Sequence, residues 1–196
     1  ARAYAGAGDV VAIADEPSYP LYRVAAWVTG ADVGDEGPAL TFVCRPHNPT
    51  GAMVAIPAAR PLVVDEAYFE YGGATALPLL GSNDVIVVRT FSKAFGLASA
   101  RVGYGLADRE IAAELNERQQ PAPVSTLSAA LALAGLEAGP PDVSPTIEER
   151  ERLAGALRSI GLEPLPSYTN FLCVPHERAQ ELYESLLDRG IAVRPS

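Results

Sequence analysis

The chain has 196 residues, a formal net charge of −9, and 48% hydrophobic against 20% charged residues, the balance of an ordinary water-exposed globular fold. Its excess of acid excludes a nucleic-acid footprint and a polybasic membrane surface. No apolar run reaches the length of a membrane span, and the first residues lack the pattern of a signal peptide.

Short apolar runs alternate with stretches of helical period. Val10 to Ala14 predicts a strand, followed by a Pro-Ser-Tyr-Pro turn and a helix from about Leu21 to Val28. Leu40 to Cys44 predicts a second strand and Pro61 to Asp65 a third. Val85 to Val88 is continuously apolar, as in a strand covered on both faces, and Val102 to Leu106 predicts a fifth. Strands separated by helices or loops imply an α/β fold with a mainly parallel sheet.

Beyond this the pattern turns helical. Asp108 to Gln119 reads as a helix with an acid near its start, and Ser125 is placed to cap another that runs to about Glu137. Gly139-Pro140-Pro141 is the best linker, dividing a unit of residues 1–140 from one of residues 141–196. The second unit predicts a helix over Pro145 to Ile160 with Leu153, Leu157 and Ile160 on one face. A strand over Asn170 to Val174, a helix over Glu177 to Arg189 and the start of a strand at Ile191 to Val193 complete a small α+β unit.

Cys44 and Cys173 each close an apolar run, without a CxxC spacing, and predict buried, reduced thiols in the cytoplasm. His47 and His176 are too few and too isolated for a metal site. Against fourteen arginines the chain holds one lysine, Lys93. Arginine stays protonated in proteins, whereas a lysine amine can lose its proton and attack a carbonyl carbon.

Chemistry-bearing residues recur where the predicted strands end, the edge at which open parallel sheets collect ligands. Arg45-Pro46-His47-Asn48-Pro49-Thr50-Gly51 follows the second strand, Asp65-Glu66-Ala67-Tyr68 the third, and Thr90-Phe91-Ser92-Lys93 the fourth, with Arg101 eight residues after Lys93. Each alone has a plain structural reading: Asn-Pro-Thr-Gly as a turn, Asp65 as a helix cap, Tyr68 as packing, Arg101 as a surface ion pair. Gly103-Tyr104-Gly105 lacks the third glycine of a dinucleotide fingerprint, and no GxxxxGK[ST] precedes Asp65-Glu66 to suggest an ATPase.

Taken in order with Asp15 to Tyr22, Val63 to Tyr71 and Arg89 to Tyr104, these motifs resemble the histidinol-phosphate aminotransferase family of fold type I, class II aminotransferases. The likeness continues loosely through Ser167 to Val174 and Gly190 to Pro195. It implies a three-layer large domain over residues 1–140 and part of a small C-terminal domain over residues 141–196. It also implies pyridoxal 5′-phosphate as cofactor, a cytoplasmic homodimer, and transfer of an amino group from histidinol phosphate to 2-oxoglutarate in histidine biosynthesis. In that pattern Lys93 binds the cofactor aldehyde covalently and then carries a proton between Cα and C4′. Asp65 pairs with the ring nitrogen, and Asn48 and Tyr68 hydrogen-bond the 3′ oxygen. Tyr19 stacks on the ring, with Tyr22 the alternative. Thr90, Ser92 and Arg101 hold the phosphate.

The family's glycine-rich phosphate turn, its N-terminal tyrosine and its late carboxylate-binding arginine have no counterpart here, so the resemblance implies a chain truncated at both ends. Other aminotransferases and threonine-phosphate decarboxylases share the same motifs. A scaffold with the fold and an incomplete site is the reading from a different class.

Overall fold

The computed structural model describes residues 1–81 and 84–195. Six strands form one sheet in the order β2-β1-β3-β4-β5-β6: β1 is Val10–Ile13, β2 Asp32–Val33, β3 Leu40–Cys44, β4 Leu62–Asp65, β5 Val85–Thr90 and β6 Gly103–Leu106. All neighbours run parallel except β5 and β6, which pair antiparallel from Val87↔Leu106 to Thr90↔Gly103. Central strands of a parallel sheet are covered on both faces, and β3 is buried along its whole length. Two apolar clusters result: Val11, Ile13, Tyr22, Leu40, Phe42, Val63 and Ile86 on one side, and Val43, Leu62, Val64, Val85 and Val87 on the other.

Helix α1, Leu21–Thr29, buries Tyr22 and Ala26, one turn apart on a single face, and ends at Gly30 in the left-handed region. After the one-turn helix α2, Phe69–Gly72, the remaining helices are α3 (Arg109–Glu117), α4 (Thr126–Ala138), α5 (Ser144–Ser159) and α6 (Ala179–Leu187). Ser125 caps α4 as its side chain predicts, accepting from Ser128 N at 3.1 Å. Asp108 precedes α3 without a side-chain cap bond.

Three expectations fail, two strands and one buried thiol. Asn170–Val174 and Ile191–Val193 form no strands. A strand exists only with a partner; Leu165 N donates to Cys173 O at 2.8 Å, but no ladder grows from that bond. Cys44 is buried, but Cys173, outside any strand, is partly exposed; both thiols are free. Helix α5 forms as predicted, burying Ala154 and leaving Leu153 and Ile160 exposed, and Arg150 Nη1 ties it to the Ser167–Phe171 turn by donating to Thr169 O at 2.7 Å. No described helix is long and apolar enough to cross a membrane.

Candidate functional site

The register aligns Cys44 with Asp65 and Asp65 with Val88, so the loops leaving β3, β4 and β5 emerge side by side. Arg45 N donates to Asp65 O and Glu66 N to Val88 O, extending the ladder one residue beyond each strand. Asp65 therefore stands at the C-terminal edge of the sheet with its carboxyl fixed from two sides. Tyr22 Oη donates to Oδ2 at 2.6 Å and Ala67 N to Oδ1 at 3.0 Å. Burial pushes this carboxyl above the ordinary aspartate range, while the two donors and the Lys93 ammonium pull the other way. Tyr22 does not lie free as a stacking ring: it is buried, stacked on Phe42 with centroids 4.9 Å apart at 8°, and uses its hydroxyl on Asp65. Tyr19 meets Tyr22 edge-on at 5.6 Å and stays half-buried.

The loop after β3 closes on itself. Gly51 N donates to His47 O at 2.7 Å, His47 Nδ1 lies 2.8 Å from Thr50 Oγ1, and Arg45 Nε donates to Val54 O. This presents Asn48 to Tyr68, Nδ2 donating to Tyr68 Oη at 3.2 Å. Tyr68 is buried, and that burial raises its phenol to about 12, so it remains a donor at neutral pH. The turn at Ser167–Phe171 seats against this loop: Tyr168 N donates to Gly51 O at 2.8 Å, and the Phe171 ring meets Tyr68 edge-on at 5.4 Å.

Lys93 Nζ lies 5.2 Å from the centroid of the Tyr68 ring, a cation–π distance that puts the amine beside the Asn48–Tyr68 pair. Thr90 and Ser92 flank the same bend, Thr90 Oγ1 accepting from Ser92 N at 3.1 Å. With Arg101 and Gly103 they line a cavity of about 370 Å³. Arg101 is exposed, has φ +50°, and donates from Nη1 to Ala98 O at 2.8 Å.

Sequence reasoning passes over Glu66 with the acid-pair motif, yet it is the best-connected side chain near the site. It accepts from Ala76 N, Thr75 Oγ1, and Arg89 Nε and Nη2 at 3.0 and 2.9 Å, with no exposure of its side chain. Arg89 also lies over Phe69, 3.6 Å from the ring centroid. The signal in the sequence is an arginine directly ending the apolar run Val85–Val88 and an acid directly following Asp65.

The sheet edge thus gathers a carboxylate, an amine, an amide–phenol pair and a hydroxyl–guanidinium group on three adjacent loops. The same order of elements appears in known proteins. A histidinol-phosphate aminotransferase of Caldanaerobacter subterraneus subsp. tengcongensis is 36% identical across 98% of this chain, and an aromatic amino acid aminotransferase of Mycobacterium tuberculosis is 34% identical across 97%. The chain spans 64% and 58% of their respective lengths. Among solved structures, the histidinol-phosphate aminotransferase of Sinorhizobium meliloti in complex with pyridoxal-5′-phosphate superposes with a TM-score of 0.83 at 28% identity, over 97% of this chain and 62% of that one. These neighbours are fold type I aminotransferases, which fixes the fold of this chain as that three-layer α/β type. The family profile described as Aminotransferase class I and II matches residues 24–196, and the chain belongs to that family.

Proposed function

We propose that this chain is the cofactor-binding core of a pyridoxal-phosphate-dependent aminotransferase. The observation that carries the reading is the convergence of Asp65, the Asn48–Tyr68 pair and Lys93 on neighbouring loops at one sheet edge. The donor set fits the group: an acceptor-only carboxylate for a ring N–H, a phenol and amide for a ring oxygen, a primary amine for an aldehyde, and hydroxyls with a guanidinium for a phosphate. When bound, pyridoxal phosphate supplies an electron-accepting ring that stabilises negative charge at the substrate α-carbon.

The protein's residues do the rest. Lys93 would hold the cofactor aldehyde through its amine and, once the substrate amine has displaced it, the freed amine would carry the proton from the substrate Cα to C4′. Asp65 keeps the ring nitrogen protonated. Tyr68, oriented by Asn48, donates to the 3′ oxygen. Tyr19 covers one ring face, and Thr90, Ser92 and Arg101 grip the phosphate.

Histidinol phosphate with 2-oxoglutarate, giving imidazole acetol phosphate and glutamate, is the reaction the 36% identical relative supports. The 34% identical aromatic amino acid aminotransferase supports a second donor class of the same reaction type. The exposed Leu127, Leu133 and Leu136 of α4 support a homodimer, because a helix apolar on all sides is normally covered. The two free thiols fit a reducing, cytoplasmic setting. The linker at Gly139-Pro140-Pro141 supports a large domain over residues 1–140 and part of a small one over residues 141–196.

Borohydride reduction after adding pyridoxal phosphate, followed by peptide mapping, tests the cofactor reading. An adduct on Lys93, absent in Lys93→Ala, is expected; an adduct confined to Ala1, or none, sinks it. Spectral changes on adding histidinol phosphate or phenylalanine then separate the two donor classes.

A further inference from the structure

Asp65 is held by a phenol that neither the family's motif roles nor the reaction requires. Tyr22 reaches it from α1, forty-three residues away in sequence, and its Oη–Oδ2 distance of 2.6 Å is that of a strong, charge-assisted bond from a hydroxyl to a carboxylate. The ring cannot swing away. It is 6% exposed, lies flat against Phe42, and is abutted by Tyr19. The backbone of Ala67 fixes the other oxygen. Each carboxylate oxygen therefore has one lone pair committed to a rigid donor and one left over.

We infer that Tyr22 is a positioning residue for Asp65: its hydroxyl fixes the orientation of the carboxylate and keeps it ionised, so that the remaining Oδ2 lone pair is available to the cofactor's ring nitrogen. This rests on the reading of Asp65 as the ring-nitrogen partner.

The direction of proton sharing is set by the surroundings. Burial, and then the Asp65 charge, hold the Tyr22 hydroxyl far above the ordinary phenol range, so in the Tyr22–Asp65 bond Tyr22 is the donor and Asp65 the acceptor. The groups facing Asp65 are Tyr22 from α1, Cys44 at the end of β3, Glu66 beside it, Tyr68 on the loop after β4, and Lys93 from the loop after β5. Cys44 is itself raised to about 11, by burial first and Asp65 second, and so is neutral at ordinary pH. Of these neighbours, Tyr22 and Lys93 favour the ionised carboxylate while Glu66 opposes it. Tyr22 is the strongest counterweight to burial.

The test compares Asp65 in the chain as it stands and in Tyr22→Phe, which keeps the ring against Phe42. With ¹³C-labelled aspartate and Asp65→Asn to assign the resonance, the Asp65 titration midpoint is expected to move up by about one pH unit in Tyr22→Phe, since a hydrogen bond to a charged group is lost. The same preparations are then treated with pyridoxal phosphate and borohydride. An unchanged midpoint with a normal Lys93 adduct overturns the role of Tyr22 and leaves the cofactor reading intact. A shifted midpoint without any Lys93 adduct overturns the cofactor reading, and with it the positioning role. A shifted midpoint with a Lys93 adduct supports both.

Discussion

Arg89 binds Glu66 through two of its nitrogens, at 3.0 and 2.9 Å, and so joins the strand end that carries Asp65 to the one that carries Thr90 and Lys93. The pair is nearly sealed, with side-chain exposures of 11% and 0%. Removing one partner strands a buried charge, and such losses cost about 3–5 kcal/mol. Arg89→Met is expected to lower the unfolding free energy measured in urea by that amount. Arg89→Lys is expected to recover only part of the loss, because it keeps the charge but not the fork that also reaches Thr75. A wild-type unfolding curve in Arg89→Met would show that the pair does not hold the strand ends.

Much of this arrangement is legible in the order of residues alone. The apolar runs ending at Cys44, Asp65 and Val88 specify parallel strands, and parallel strands put the loops after them at one edge. The sequence is less informative wherever a role depends on a distant partner. Tyr22 reads as an alternative stacking ring until α1 folds back and its hydroxyl meets Asp65. Glu66 reads as half of an acid pair until Arg89 and the Ala76 amide surround it. Asn170–Val174 carries strand propensity, but without a neighbouring strand that propensity has nothing to pair with.

Gly51 is where the Ser167 turn touches the loop that presents Asn48. Its φ is +81°, and a Cβ there would meet Ser167 Oγ at 2.5 Å. Gly51→Ala therefore combines backbone strain with a clash against a buried side chain, and is expected to cost about 2 kcal/mol or more. Ser167→Gly in the same chain removes the Oγ contact but leaves the Ser167 Cα at 3.2 Å and the strain, and it gives up the Oγ bond to Phe171 O, so it should restore only part of the loss. Thermal denaturation of the single and double variants checks this. Full recovery in the double variant would mean that sterics alone decide the site.

The carboxyl of Asp65 is raised by burial, so in the unloaded chain the folded state binds a proton more tightly than the unfolded state does. Between the unfolded and folded midpoints the folded state holds more protons, and stability falls as pH rises through that window. Asp65→Asn removes this contribution. The difference in melting temperature between Asp65→Asn and wild type is expected to grow from about pH 4, the unfolded midpoint, upward and to level off once the wild-type carboxyl is ionised. The variant should also bind pyridoxal phosphate more weakly. A difference that shrinks with pH would mean that the carboxylate is net stabilised in the fold.

Arg101 offers a way to separate backbone strain from ligand binding. It occupies the left-handed region at φ +50°, where a non-glycine residue stores on the order of 1 kcal/mol. Its side chain is exposed apart from one bond to Ala98 O. Arg101→Gly relieves the backbone and deletes the guanidinium, so the unloaded chain should be as stable as wild type or slightly more so. Affinity for pyridoxal phosphate should nevertheless drop at least about tenfold, the usual scale for losing a charge-assisted hydrogen bond. Pyridoxal, which lacks the phosphate, should bind both proteins equally, because the role proposed for Arg101 is contact with the phosphate alone. Equal weakening of the two ligands would take Arg101 out of the phosphate site and leave the cavity to its hydroxyls.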